Sequence, residues 1–160
     1  MGIFEKAAGE IDEGDVMPEF ALPDQTGQLV SLSSLLGKGP VVVFFYPRDD
    51  SPGCTVEVCS FRDQHDTFVE AGASVVGISG DDVASHDHFV KKYGLPFTLL
   101  SDGDNAYRKA IRVPSTLGIM PGRVTYVLDK TGVVQKRFAS QINFSGHIDV
   151  ARELVQKLSG

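Results

Sequence analysis

"VVVFFYPRDDSPGCTVEVCSFRD", residues 41–63, sets an unbroken apolar run against a proline-punctuated turn and then a stretch with helical spacing. The run Val41 to Tyr46, ended by Pro47, reads as a central strand covered on both faces, because a half-exposed strand would alternate with polar residues. Beyond the turn a helix is expected from about Thr55 to Glu70. Val58, Phe61, His65 and Phe68 then lie along one face at steps of three and four. The same stretch holds the only two cysteines of the chain, Cys54 and Cys59.

Outward from this strand, turn and helix, the pattern repeats. "FALPDQTGQLVSLSSLLGKG" (20–39) reads as a short strand, a turn at Gln25 to Gly27, a second short strand and a brief helical turn. "SVVGIS" (74–79) is the next strand, and Asp81 or Asp82 can cap a helix carrying Val83, Phe89, Val90 and Tyr93. "FTLLS" (97–101) is a third strand, with a short helix starting near Asn105. "RVTYVLD" (123–129), a turn at Lys130 to Gly132 and "VVQKRF" (133–138) make a hairpin. The last helix presents Ile148, Ala151, Leu154, Val155 and Leu158 as an inward stripe. Strands alternating with helices, then a hairpin and a helix, predict an α/β protein: a thioredoxin-like fold with a mixed central sheet flanked by helices. Residues 1–15 read as a flexible N-terminal tail and residues 16–160 as a single domain.

The chain has 160 residues, enough to bury a sizeable core without staples, and its 42% hydrophobic and 22% charged content is ordinary for a globular protein. A net charge of −6 argues against a nucleic-acid or anionic-membrane surface, either of which wants a basic patch. No run of eighteen apolar residues is present, so no membrane span is expected. The start, "MGIFEKAAGEIDEGD", is acidic and lacks the basic and apolar segments of an export signal. Two cysteines are too few for a disulfide scaffold. "Asn143-Phe-Ser145" fits the glycosylation pattern, but short sequons arise by chance and no export signal supports it.

Three roles compete for the cysteine pair. Zinc needs about four ligands, so two histidines would have to join. His86 and His88 sit two apart on one expected helix and point to different faces. His65 reads as a hydrogen-bonded core histidine, and His147, near the start of the last helix, as solvated; no metal is expected. A static disulfide fails on geometry. Residues i and i+5 of an α-helix are rotated about 140° apart with Cα atoms roughly 8.6 Å apart, whereas a disulfide wants them within about 7 Å. The pair can bond only when the first turns unwind. The third role is a reactive thiol. It needs positive potential and partial exposure, and Cys54 follows "Ser51-Pro-Gly", in the first turn near free backbone N–H groups. Ser51 and the N–H groups of Gly53 and Cys54 then surround a small cavity, with Pro47 as a water-shedding wall. Reactivity is the best of the three readings.

At this point the residues match a family. "Pro47-Arg-Asp-Asp-Ser51-Pro-Gly-Cys54" resembles the Pro-x-x-x-Thr/Ser-x-x-Cys signature of peroxiredoxins, the thiol peroxidases. "YPRDDSPGCTVEVCSFRD", with its second cysteine five positions on, resembles the Q-type branch, the bacterioferritin comigratory protein group. "GISGDD" and "MPGRVTYVLDKTGVVQ" are similar to plant and cyanobacterial members, and the likeness runs from about Gly14 to Leu158. The resemblance implies that Cys54 is the peroxidatic and Cys59 the resolving cysteine. It also implies that Pro47 and Ser51 line the peroxide pocket and that Arg123 is the active-site arginine. Threonine is expected where Ser51 stands; serine keeps the hydroxyl but loses the methyl that stiffens its rotamer. Glu57 and Arg62 also stand at family-typical positions, as polar residues of the first helix that brace the pocket.

The implied function is a thiol-dependent peroxidase without cofactor. It would reduce hydrogen peroxide and alkyl hydroperoxides through a sulfenic acid and a Cys54–Cys59 disulfide, recycled by thioredoxin or a similar dithiol. A monomer is expected, in the cytoplasm or alternatively in a plastid after loss of a transit peptide. Two rivals share the site or the fold: a peroxide sensor that relays oxidation to a partner, and a protein thiol–disulfide oxidoreductase. The second would want Cys-x-x-Cys, which is absent. A non-catalytic binding domain would leave the Pro47–Ser51–Cys54 spacing unexplained.

Overall fold

The computed structural model describes residues 11–113, 115–116, 120–140 and 143–159. The Val41 run forms the central strand β3 (Val41–Phe45). A hairpin of β1 (Ala21–Pro23) and β2 (Leu29–Ser31) precedes it, followed by the single turn of α1 (Leu32–Leu35). After β3 come α2 (Pro52–Asp63), α3 (His65–Glu70), β4 (Ser74–Ser79), α4 (Val83–Tyr93) and β5 (Thr98–Ser101). A short 3₁₀ turn leads into α5 (Ala106–Ala110), a small ladder of β6 (Ser115–Thr116) and β7 (Met120–Pro121), the hairpin β8 (Val124–Leu128) and β9 (Val134–Ala139), and α6 (Phe144–Ser159).

The five-stranded sheet has the order β5-β4-β3-β8-β9. β3, β4 and β5 are parallel, and β8 and β9 run antiparallel to their neighbours, so the expected mixed sheet flanked by helices is present. Side chains alternate across β3, which explains why all five residues are buried. Val42, Phe44 and Tyr46 face a core shared with α2, α3, α4 and α6. Val41, Val43 and Phe45 face a second core closed by Phe20, Leu32, Ile111 and Val113. Phe44 stacks on Phe61 of α2 with ring centroids 4.4 Å apart. Gly77 of β4 makes room for this, since a Cβ there would lie 2.6 Å from the Phe44 ring.

Three expectations need correction. The single helix from Thr55 to Glu70 starts earlier, at Pro52, and breaks at Gln64, where φ −100° and ψ 8° leave the helical well. The apolar spacing survives the break because Phe61 and Phe68 stay in contact, rings 5.8 Å apart. The flexible tail over residues 1–15 is docked from Ile11 onward. Ile11 is buried and its N–H donates to Ile111, while Gly14 and Met17 bond β9 and its turn at Val134 and Gly132. An edge strand offers unpaired backbone groups that such a segment satisfies; residues 1–10 lie outside the described residues. Leu158, last of the α6 stripe, is 36% exposed, lining an open cleft with Lys38 and Thr131. Asn143, of the sequon, caps the start of α6 by accepting from the Gly146 N–H at 3.1 Å.

Candidate active site

β3 ends against Pro47, and the turn that follows delivers Cys54 to the first turn of α2. Pro52 takes the first helical position, where its missing N–H costs nothing. Ser51 is the N-cap residue, yet its hydroxyl donates to the Arg48 carbonyl at 3.1 Å and makes no cap bond. The N–H groups of Gly53 and Cys54 are first-turn donors without intrahelical partners. Cys54, Glu57, Val58 and Phe61 form the buried face of α2.

Arg123 precedes β8 and points to that same face. Its Nη1 donates to the Cys54 Sγ at 3.4 Å and to Glu57 Oε1 at 2.7 Å. One guanidinium nitrogen is therefore shared between a sulfur and a carboxylate. Burial pushes the Glu57 carboxyl up to about 7, against the pull of the Arg123 charge. Burial works to lower the Arg123 pKa, but Glu57 and Cys54 outweigh it and hold the value above that of a free guanidinium. The second Glu57 oxygen has no hydrogen-bond partner and lies 3.6 Å from His147 Nδ1.

The expected solvated His147 is instead fully buried, because α6 docks its first turns onto β8. Its Nε2 donates to the Ser140 carbonyl at 2.8 Å, so its Nδ1 accepts from the Thr125 hydroxyl at 2.8 Å and the ring is neutral. Burial pushes its pKa down to about 4, with the Arg123 charge adding to the shift. His65 was expected to be hydrogen-bonded, but its Nδ1 is buried without a partner and the ring leans on Phe97 at 6.0 Å.

Cys54 itself is 0% exposed, against the partial exposure expected of a reactive thiol. Arg123, only 6% exposed, lies against its sulfur, and the ring of Phe144 lies against Arg123 and Gly53. Cys59 lies five residues along α2, partly buried, and both cysteines are free thiols. Burial pushes the Cys59 thiol up, with Asp63 adding to the shift and Arg62 opposing it. Pro47 and Ser51 are partly buried in the turn before α2. Arg62 does not reach this group: it bonds Asp63 and the carbonyl of Tyr93.

Sequence reasoning missed the supports beneath the turn. Arg108 of α5 donates to the carbonyls of Tyr46, at 2.9 Å, and Gly122, at 2.7 Å. These residues immediately precede Pro47 and Arg123, so one guanidinium ties together the two strand ends that carry the site. Asp49 accepts from Tyr46 Oη, Ser85 Oγ and His86 Nδ1, and its N–H donates to Asp81. His86 Nε2 faces the Leu100 carbonyl at 3.0 Å, so the ring is held at both nitrogens. Asp49, Asp81 and His86 are close enough to hold a metal ion, but their facing atoms are taken up by these hydrogen bonds. Asp50, held at φ 59°, bonds Lys92 and Tyr93 of α4. The "Asp49-Asp50" pair in a proline-rich turn was the one available signal.

A thioredoxin-like sheet presenting a buried cysteine and arginine at a strand-to-helix turn defines a thiol peroxidase fold, and the comparisons agree. The model of the AhpC/TSA family matches residues 14–137. Peroxiredoxin Q, chloroplastic, from Triticum aestivum is 54% identical over 94% of this chain and 69% of its own length. The crystal structure of peroxidoxin BcpB from Mycobacterium tuberculosis superposes with a TM-score of 0.86 at 38% identity, covering 93% of this chain and 99% of that one. The bacterioferritin comigratory protein of Xanthomonas campestris, solved for insight into its alkyl peroxide reduction, gives 0.80 at 30% identity over 88% and 92%. The chain belongs to the AhpC/TSA family, in its peroxiredoxin Q branch. It is a thiol peroxidase, acting on peroxides and drawing on a thiol reductant.

Proposed function

We propose that Cys54 attacks the peroxide and Cys59 resolves the product, with Pro47, Ser51 and Arg123 shaping the pocket. One observation carries this assignment: the Arg123 guanidinium lies 3.4 Å from the Cys54 sulfur, while Cys59 waits unbonded in the same helix. The Cys54 thiolate attacks the terminal oxygen, an S–O bond forms and the O–O bond breaks. The leaving oxygen takes up a proton and departs as water or an alcohol, and the sulfur is left as a sulfenic acid. Arg123 and the first-turn N–H groups are oriented in advance to stabilise charge on the leaving oxygen, and the Ser51 hydroxyl joins them once it turns from the Arg48 carbonyl.

α2 then opens at its start, Cys59 reaches Cys54, and the thiol condenses with the sulfenic acid, releasing water and leaving a disulfide. A dithiol of thioredoxin type reduces that bond by exchange. Alkyl hydroperoxides belong among the substrates, as the activity named for the Xanthomonas protein supports. A partner cysteine within the same helix removes any need for a second chain, which favours a monomer. The word chloroplastic in the names of relatives supports the plastid alternative over the cytoplasm.

Stopped-flow kinetics with mass spectrometry tests the roles. Cys54→Ser abolishes peroxide consumption, and Cys59→Ser reacts once per chain and stalls as a sulfenic acid or an intermolecular disulfide. Arg123→Ala slows the first step about 10²–10³-fold, the usual loss for one fixed donor at a developing anion. Steady turnover that is unchanged in either cysteine variant refutes the assignment.

A further inference from the structure

Cys54 is fully buried and Arg123 only 6% exposed, so any peroxide must pass the side chains that cover them. The ring of Phe144, first residue of α6, is partly exposed and lies over the Arg123 guanidinium, 4.9 Å from ring centroid to Cζ. The same ring rests on Gly53, the residue before Cys54: a Cβ at Gly53 would stand 2.9 Å from Phe144 Cζ and 3.2 Å from Arg123 Nη2. The partly exposed ring therefore lies against Arg123 and against the residue that precedes Cys54. A ring at the first position of a helix has no preceding helical turn to pin it.

We propose that Phe144 is a specificity residue whose ring receives the apolar tail of organic hydroperoxides and so favours them over hydrogen peroxide. The proposal rests on the thiol peroxidase reading. In-line attack points the leaving oxygen, and the group bonded to it, away from the sulfur and toward the mouth. An alkyl or aryl tail there meets the Phe144 ring and gains by leaving water. Hydrogen peroxide carries no tail and gains nothing, although it uses the same thiol and the same arginine. The ring thus acts on the difference between substrates, which is where specificity resides.

Pre-steady-state oxidation of the reduced chain by cumene hydroperoxide, tert-butyl hydroperoxide and hydrogen peroxide tests this without any reductant. In Phe144→Ala the ratio of cumene to hydrogen peroxide rate constants falls about tenfold, the discrimination expected of a lost apolar contact. Phe144→Leu, which keeps apolar bulk, retains most of the ratio. A ratio unchanged in Phe144→Ala, with all rates moving together, overturns the proposal. The chain contains no tryptophan, so Phe144→Trp places a single, selectively excitable tryptophan beside the Cys54 turn even if the alanine variant folds poorly. In a Cys54→Ser background its emission shifts with cumene hydroperoxide and not with hydrogen peroxide; equal responses overturn the proposal. A wild-type chain that no peroxide oxidises would remove the peroxidase reading itself, whereas the ratio test fails only the role of Phe144.

Discussion

At the scale of single residues, the site turns on how Arg123 divides its charge. Its Nη1 serves both Cys54 and Glu57, so the protonation of Glu57 decides how much positive potential reaches the sulfur. The Glu57 carboxyl is raised from 4.5 to about 7, and the native state therefore binds its proton more tightly than the unfolded chain does. Its contribution to stability is complete below pH 4.5 and is lost as pH rises through about 7. His147 has the opposite sign. Its pKa is depressed from 6.5 to about 4, so its contribution is complete above 6.5 and is lost as pH falls toward 4. Urea denaturation across this window, for the wild type and for Glu57→Gln, separates the two. The amide still accepts from Arg123 but cannot ionise. The wild type should lose stability relative to the variant as pH rises between 4.5 and about 7, and parallel curves would show that Glu57 does not titrate there.

Elements position these residues through their ends. α2 begins without a side-chain cap, since the Ser51 hydroxyl is turned to Arg48, and an uncapped start is the end most ready to fray. In the proposed cycle that is the end which opens for Cys54 to meet Cys59. The strands beneath it stay fixed, because Arg108 of α5 holds the carbonyls of Tyr46 and Gly122 together. Burial pushes the Arg108 guanidinium down to about 10, yet it remains a cation at neutral pH. Arg108→Met leaves both carbonyls without their donor. A loss of about 1–3 kcal/mol per unsatisfied group is expected, together with slower oxidation of Cys54 as Pro47 and Arg123 lose their common anchor. Denaturation and stopped-flow oxidation measure both effects. A variant that is less stable but oxidised at the wild-type rate would make Arg108 a purely structural brace.

The whole molecule is a sheet with a core on each face, and α2, the helix that carries both cysteines, belongs to only one of them. Phe44 of β3 and Phe61 of α2, stacked at 4.4 Å, join that helix to the centre of the sheet. Around them the same core gathers side chains from α3, α4 and α6, so the far end of α2 stays packed while its start opens. Phe61→Ala should cost about 3–5 kcal/mol, as for other buried aromatic truncations, seen as a lower denaturation midpoint for the reduced chain. A loss below 1 kcal/mol would mean that α2 is held elsewhere along its length. No described helix is long and apolar enough to cross a membrane.

What the sequence determined by itself was everything local in pattern. The unbroken run at Val41 marked a doubly covered strand, the turn at Lys130 marked the β8–β9 hairpin, and the spacing from Pro47 through Ser51 to Cys54 marked the turn that leads into α2. Each depends on neighbours within a few residues, so periodicity and turn chemistry were enough. Tertiary structure decided what distant segments do to one another. It buried His147, because only the docking of α6 on β8 sets which face of that helix is wet. It gave Arg108 and Asp49 their supporting roles, since their partners are brought near by the sheet and not by the chain. It also set Phe144 beside the turn that carries Cys54, because the two lie ninety residues apart in sequence and Phe144 meets Gly53 only once α2 and α6 pack side by side.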